Sequence, residues 1–187
     1  MSLEGLLIFA AFWVVFVTTP GPNAANCIQN GMAFGFRRSL WGVLAILTQA
    51  TLFLLLSAAG VGALIVAAPD VFFWVQIAGA GLLVWLGLRG WMRARQPVTL
   101  PERAGSIYGR AFLIATINAK SLAGYIAAFS QFVEPGVPIW SQMTVIMPVA
   151  LTITALSYTG FTALGAGRGG AAQGAGGEPW HRRGHRA

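Results

Sequence analysis

The chain has 187 residues, 56% hydrophobic and 9% charged, with a mean hydropathy of +0.69. Soluble domains carry roughly 25% charged residues, so a soluble globular class is excluded. The net charge of +7 and pI near 11.1 would suggest nucleic acid in a soluble protein. Here the positives sit in short connections and in the tail, with no basic stripe interleaved with aromatics, so membrane topology accounts for them and no nucleic acid is expected.

A helix crossing a hydrocarbon core about 30 Å thick needs about 20 apolar residues. Five such segments are predicted, over 3–19, 39–67, 71–91, 110–133 and 139–164. The first lacks a basic n-region, its only early charge being Glu4, and Pro20-Gly21-Pro22 stands where a cleavage site would be expected. It therefore reads as a retained helix and not as a signal peptide. If 22–36 continued it, the rod from Leu3 would reach about 50 Å, too long for the core. A helix broken at Pro20-Gly21-Pro22 fits better, with Pro22 at the first position of a new helix, where its missing N–H is an orphan anyway. Gly31 and Gly35 form a small-xxx-small pair expected to pack this second piece closely on a neighbour. The single cysteine, Cys27, has no partner for an internal disulfide and reads as a small apolar residue.

Basic residues alternate between the two sides. Arg37 and Arg38 follow the first segment, Arg93, Arg95 and Arg103 lie between the third and fourth, and Arg110 opens the fourth. The other connections carry only Asp70 and Glu134. The positive-inside rule places the N-terminus outside and the connections after the first and third segments in the cytoplasm. Trp41 and Trp91 then anchor the inner interface, Trp74 and Trp140 the outer one. Thr48 and Gln49 are expected to join helices, and Phe129, Tyr125 and Trp85 to serve packing.

Lys120 is a lone ammonium in the apolar stretch from Phe112 to Val133. A charge at the bilayer centre costs roughly 2.5–3.5 kcal/mol on insertion scales and persists where a bundle interior or a substrate uses it. Counted from Arg110 it lies roughly 15 Å deep, close to the midplane. The prolines at 20 and 22 free carbonyls upstream that suit an ammonium, and the helix starting at Pro22 aims its N–H groups and positive dipole end at the break, which suits a carboxylate. Thr19, Pro20, Gly21, Pro22, Asn23, Asn118 and Lys120 are therefore the candidate substrate-binding residues. Lys120 would meet a carboxylate, and carbonyls near Thr18 and Thr19 an ammonium. Asn118 and Lys120, two apart, face different ways on a regular helix, so both reach one site only if that helix is distorted. The structural alternatives are a plain helix bend at the prolines, a lysine that caps carbonyls freed by the other break, and an asparagine that bonds between helices.

The interrupted elements open corresponding groups of helices, three apart, which inverts one group relative to the other, as in inverted-repeat transporters. Val17-Thr18-Thr19-Pro20 aligns faintly with Ile114-Ala115-Thr116-Ile117. No paired carboxylates, Ser/His/Asp set or nucleotide-binding glycine loop occurs, so neither an enzyme nor a cofactor is expected. From Gly165 the apolar residues give way to Gly, Ala and Arg, so 1–164 reads as the membrane domain and 165–187 as disordered. Its composition suits an out-of-frame reading of GC-rich DNA; a natural low-complexity basic tail is the alternative. His181 and His185 have metal-like spacing but no further ligands, and no metal site is expected.

Thr19-Pro20-Gly21-Pro22-Asn23, the basic turn Gly35-Phe36-Arg37-Arg38, Gly109-x-x-Phe112 leading to Asn118-Ala119-Lys120, and Phe129-Ser130-Gln131-Phe132-Val133-Glu134-Pro135 resemble the LysE/RhtB family of bacterial amino-acid exporters. The resemblance spans about 3–164. It implies an inner-membrane protein of six helices that moves amino acids or similar small metabolites outward, driven by the proton-motive force. The family has Asn-Pro-Lys where this chain has Asn118-Ala119-Lys120, which is expected to remove a break from the fourth segment. The sixth helix of the family is replaced here by the Gly/Arg tail. An all-α integral membrane protein with five transmembrane helices is thus expected, with an amino acid and the lipid bilayer as its partners and a homodimer left open. A non-transporting scaffold or an inactive, truncated exporter is the alternative reading.

Overall fold

The computed structural model describes residues 2–67, 106–134 and 136–175, with scattered residues between Asp70 and Met92. These are all-α, with no strand among the described residues. Helix α1 spans Leu3–Thr18, α2 Pro22–Ala67, α3 Ile107–Ile117, α4 Ala119–Phe132 and α5 Ile139–Ala175. Much of the predicted third segment, 71–91, lies outside the described residues, as do Arg93, Arg95, Arg103 and the tail from 176, with His181 and His185.

The Ser2 hydroxyl caps α1 by accepting from the Gly5 N–H at 3.1 Å. The helix stops at Thr18, and Thr19 is extended (φ −60°, ψ 123°), the conformation favoured before a proline. Pro22 then opens α2, so the chain breaks at Pro20-Gly21-Pro22. A second break follows at Gly35, whose φ 72° and ψ 170° lie in a region essentially restricted to glycine. It divides α2 into arms 22–34 and 36–67. A Cβ at Gly42 would stand 3.2 Å from Asn30 Nδ2. Twelve residues along one straight helix cover about 18 Å, so the chain reverses at Gly35 and the arms lie side by side. Gly35 is therefore the turn and not the packing residue the small-xxx-small pair suggested. Arg37 and Arg38, expected in a connecting loop, are helical and exposed on the first turn of the second arm.

Gly31 does pack as expected: a Cβ there would strike the Thr162 carbonyl, and one at Gly165 would strike the backbone of Ile28. The first arm of α2 and α5 thus meet backbone to backbone. This overturns the reading of Gly165 as the start of a disordered tail, because α5 continues to Ala175. The glycine and alanine content that looks unable to build a core is what permits close helix approach in a membrane.

The predicted fourth segment, 110–133, is likewise two helices. Asn118 is extended (φ −70°, ψ 103°) and separates α3 from α4. A turn containing Gly136 (φ 90°) then leads into α5. Gln142 closes that turn, donating from Nε2 to the Glu134 and Val137 carbonyls and accepting from the Glu134 N–H, each at 3.0 Å. The Ser2 N–H donates to Glu134 Oε1 at 2.9 Å, tying the start of α1 to the same turn. That backbone N–H holds the Glu134 carboxyl below its ordinary range. Phe9, Trp13, Ile46, Leu54, Phe129 and Ile146 form the core. Pro22–Gly60 and Ile139–Arg168 are long and apolar enough to cross a bilayer. Given the reversal at Gly35, crossing within the first falls to 36–60, about 37 Å of helix. Leu56 and Leu156, 67% and 70% exposed, give the bundle an apolar exterior suited to lipid.

Gly165→Leu is expected to wedge α5 from the first arm and destabilise the protein by about 1–3 kcal/mol, the usual scale of overpacking. Gly167, with nothing within 4 Å of a Cβ, supplies the control: Gly167→Leu should leave the thermal unfolding midpoint in detergent unchanged.

Candidate functional site

The breaks at Pro20 and Asn118 meet through Lys120. In an uninterrupted helix the Phe16 carbonyl would accept from the N–H of residue 20, but proline has none. Lys120 Nζ takes that place, donating to Phe16 O at 2.8 Å and to Thr19 O at 2.9 Å. The ammonium also lies 5.1 Å from the centroid of the Phe16 ring, within cation–π range. The ring in turn rests on Gly124, one turn beyond Lys120, where a Cβ would strike it. The Val15 carbonyl is occupied separately, accepting from the Thr19 N–H at 3.0 Å and the Thr19 hydroxyl at 2.5 Å.

Asn118 places the lysine. Its Oδ1 accepts from the Lys120 N–H at 3.1 Å and caps α4. The expectation that Ala119 removes this break is therefore corrected. Asparagine is a strong N-cap, and its side chain supplies the acceptor that starts a new helix without proline. The resulting distortion brings Asn118 and Lys120 to the same cavity, which a regular helix would forbid.

Thr19, Gly21, Asn23, Asn118 and Lys120 line this cavity, while Pro20 and Pro22 shape the break without lining it. Gly21 lies beside the lysine stem, where a Cβ would stand 3.8 Å from Lys120 Cδ. The cavity measures about 10 Å³, room for roughly one water and not for an amino acid. Two of the three ammonium N–H groups are used by carbonyls, which leaves one for a ligand. The carbonyls near the break that were expected to meet a substrate ammonium are thus already engaged by Lys120.

Sequence reasoning missed Ser121, Thr154 and Tyr158 on the cavity wall, and took Tyr125 for packing alone. Trp13 Nε1 orients Thr154 through a 3.0 Å bond to Oγ1. Thr48 joins helices as expected, accepting from the Tyr108 hydroxyl at 3.0 Å. Gln49 does not: neither amide atom finds a partner among the described residues. Asn26 and Asn30 were also missed, although their spacing from Asn23 already placed them on one helix face.

An apolar helical bundle with a cation bridging two interrupted helices has the architecture of a membrane transporter. The sequence profile of the LysE type translocator family matches residues 14–173, and the chain belongs to that family. It is a membrane protein and a transporter, not an enzyme. It is 32% identical to an uncharacterized membrane protein of Vibrio cholerae over 171 residues, covering 89% of this chain and 83% of that one. It is 26% identical to a homoserine/homoserine lactone efflux protein of Salmonella typhimurium, covering 88% and 82% of the two chains. A leucine efflux protein of the same organism is 27% identical, with coverage of 81% and 74%. No solved structure matches.

The Asn118 backbone is already extended, as is favoured before a proline, and residue 119 is the first of α4. Ala119→Pro should therefore leave the thermal midpoint unchanged or raise it. Asn118→Ala, which deletes the cap, should cost about 1 kcal/mol in the same measurement.

Proposed function

We propose that this protein exports an amino acid or a closely related small zwitterion across the bacterial inner membrane, with its N-terminus outside and the proton-motive force as its energy source. The observation that carries the reading is the Lys120 ammonium seated on the carbonyls of the proline break. Lys120 there occupies the position of a substrate ammonium. When a zwitterion enters, its carboxylate pairs with Lys120 and with the N–H groups of Asn23 and Ala24 at the start of α2, which have no intrahelical partners. As the lysine turns toward that carboxylate, the Phe16 and Thr19 carbonyls are released to the incoming ammonium. Relatives named for homoserine and leucine efflux support the amino-acid class.

An inverted-repeat arrangement underlies this site. The order of broken helix, glycine turn and long helix occurs twice: α1 with the first arm, Gly35 and the second arm, then α3 with α4, Gly136 and α5. In each half the break falls near the middle of the interrupted helix, the placement that builds a midplane site from half-helix ends.

A structural reading is favoured by one observation, the small size of the cavity. In that reading Lys120 only staples the two breaks together. Lys120→Ala separates the readings once efflux is divided by the amount of inserted protein: export per molecule should be abolished, whereas loss of a mere staple would lower the amount of protein and leave export per molecule unchanged. Undiminished efflux from cells carrying the variant would remove the lysine's role in binding substrate.

A further inference from the structure

The first arm of α2 carries Asn23, Asn26 and Asn30, spaced i, i+3 and i+7 and therefore on one stripe of the helix. They are 4%, 0% and 3% exposed, and Gln49 on the second arm is 1% exposed. Both amide atoms of Asn26 and of Gln49, Oδ1 of Asn23 and Nδ2 of Asn30 are buried without a hydrogen-bond partner among the described residues. Amides that join helices in a membrane bond to one another or to backbone. These atoms do neither, so their polarity is kept for something other than cohesion.

Their order along the bundle is fixed at both ends. Asn23 lines the Lys120 cavity together with Ile46. Asn30, at the far end, faces Gly42, with Ile107 and Ala111 also within 4 Å of that glycine's Cβ position. Asn26 lies between them. Gly42, Ile46 and Gln49 share a face of the antiparallel second arm, which sets Gln49 at the cavity end. Beside Asn30, Arg110 donates from Nη2 to Gln29 Oε1 at 3.4 Å, while its Nε is buried without a partner among the described residues. From Asn30 to Asn23 the stripe covers about 10 Å. One line thus runs from Arg110 through Asn30 and Asn26 to Asn23 and Gln49, and ends at Lys120.

We propose that this amide column is the inward half of the substrate path. It rests on the exporter reading and adds a second station to it. Arg110, at the end of the bundle that also bears Arg37 and Arg38, receives the carboxylate of the amino acid. The amides of Asn30, Asn26, Asn23 and Gln49 then replace water around both charged groups, since each offers a donor and an acceptor and carries no net charge to trap a zwitterion. Lys120 takes the carboxylate at the cavity. Several weak neutral sites between two cations satisfy the requirement that a ligand be held well enough to enter and loosely enough to leave.

Two measurements test the column. Asn26→Leu and Gln49→Met replace orphan amides with apolar groups of similar size, so neither leaves a partner unsatisfied. Export should fall at least tenfold while the thermal midpoint stays level or rises. Unchanged export, or a loss that only follows reduced stability, overturns the proposal. In a Cys27→Ala background, Asn26→Cys, Asn30→Cys and Gln49→Cys should each react with a membrane-impermeant methanethiosulfonate applied to inside-out vesicles, and Leu56→Cys on the apolar exterior should not. If the three column positions stay unreactive while Lys120-dependent export persists, the path is wrong and the exporter reading survives. If they react in a protein that exports nothing, the aqueous path stands and the exporter reading fails.

Discussion

A proline inside a membrane helix creates an acceptor with no donor, and a lysine inside a membrane creates donors with no acceptor. This chain sets one against the other. Hydrocarbon offers no water to satisfy either, so each defect alone would cost several kcal/mol. Phe16 O and Lys120 Nζ, 2.8 Å apart, cancel both and pin two interrupted helices together. The site is therefore not an ornament on a finished bundle, since removing either partner leaves the other exposed to lipid-like surroundings.

Other contacts exist to keep that pair in register. Gly124 lets the edge of the Phe16 ring come up against α4, which holds both the freed carbonyl and the ring within reach of the lysine. Asn118 starts α4 two residues before Lys120 and so sets the height at which the side chain leaves the backbone. The glycine contact between the first arm and α5 brings Thr154 and Tyr158 to the opposite wall. The aromatic cluster of Phe12, Trp13, Phe16, Tyr125 and Phe132 fills the space between α1 and α4. Strain or overpacking at any of these places would reach the ammonium without touching it.

What could be read directly from the residues was whatever a single residue dictates by its own chemistry. Pro20 takes the amide donor away from the Phe16 carbonyl whatever surrounds it, although a lone proline need not end a helix, since Pro148 lies within α5, and Lys120 needs a partner in any membrane. Features set by a partner's position could not be read in that way. Gly35 and Gly31 look identical in sequence, yet one is a turn and the other a contact, because only the second faces α5. Gly165 read as the start of disorder since its neighbours lack bulk, while close backbone approach requires that lack. Ala119 suggested an unbroken helix because the missing proline drew attention away from Asn118, which ends one helix and caps the next by itself. The asparagine stripe was visible as a spacing, but its meaning comes from amides left without partners, a property of the packed bundle alone.

The proposed exchange at the proline break also bears on how tightly a substrate can be held. Moving Lys120 off the carbonyls breaks two charge-assisted bonds, and a substrate ammonium in the same place restores bonds of the same kind. The net gain therefore comes chiefly from the new pairing of carboxylate with lysine and helix start, less the work of enlarging a cavity that holds about one water. A binding free energy built from such a near-cancellation is small, and small is what a carrier needs if it is to release its cargo on the far side. The same lysine can reoccupy the Phe16 and Thr19 carbonyls as the zwitterion departs, so neither of these two acceptors is left without a donor when the site returns to its resting form.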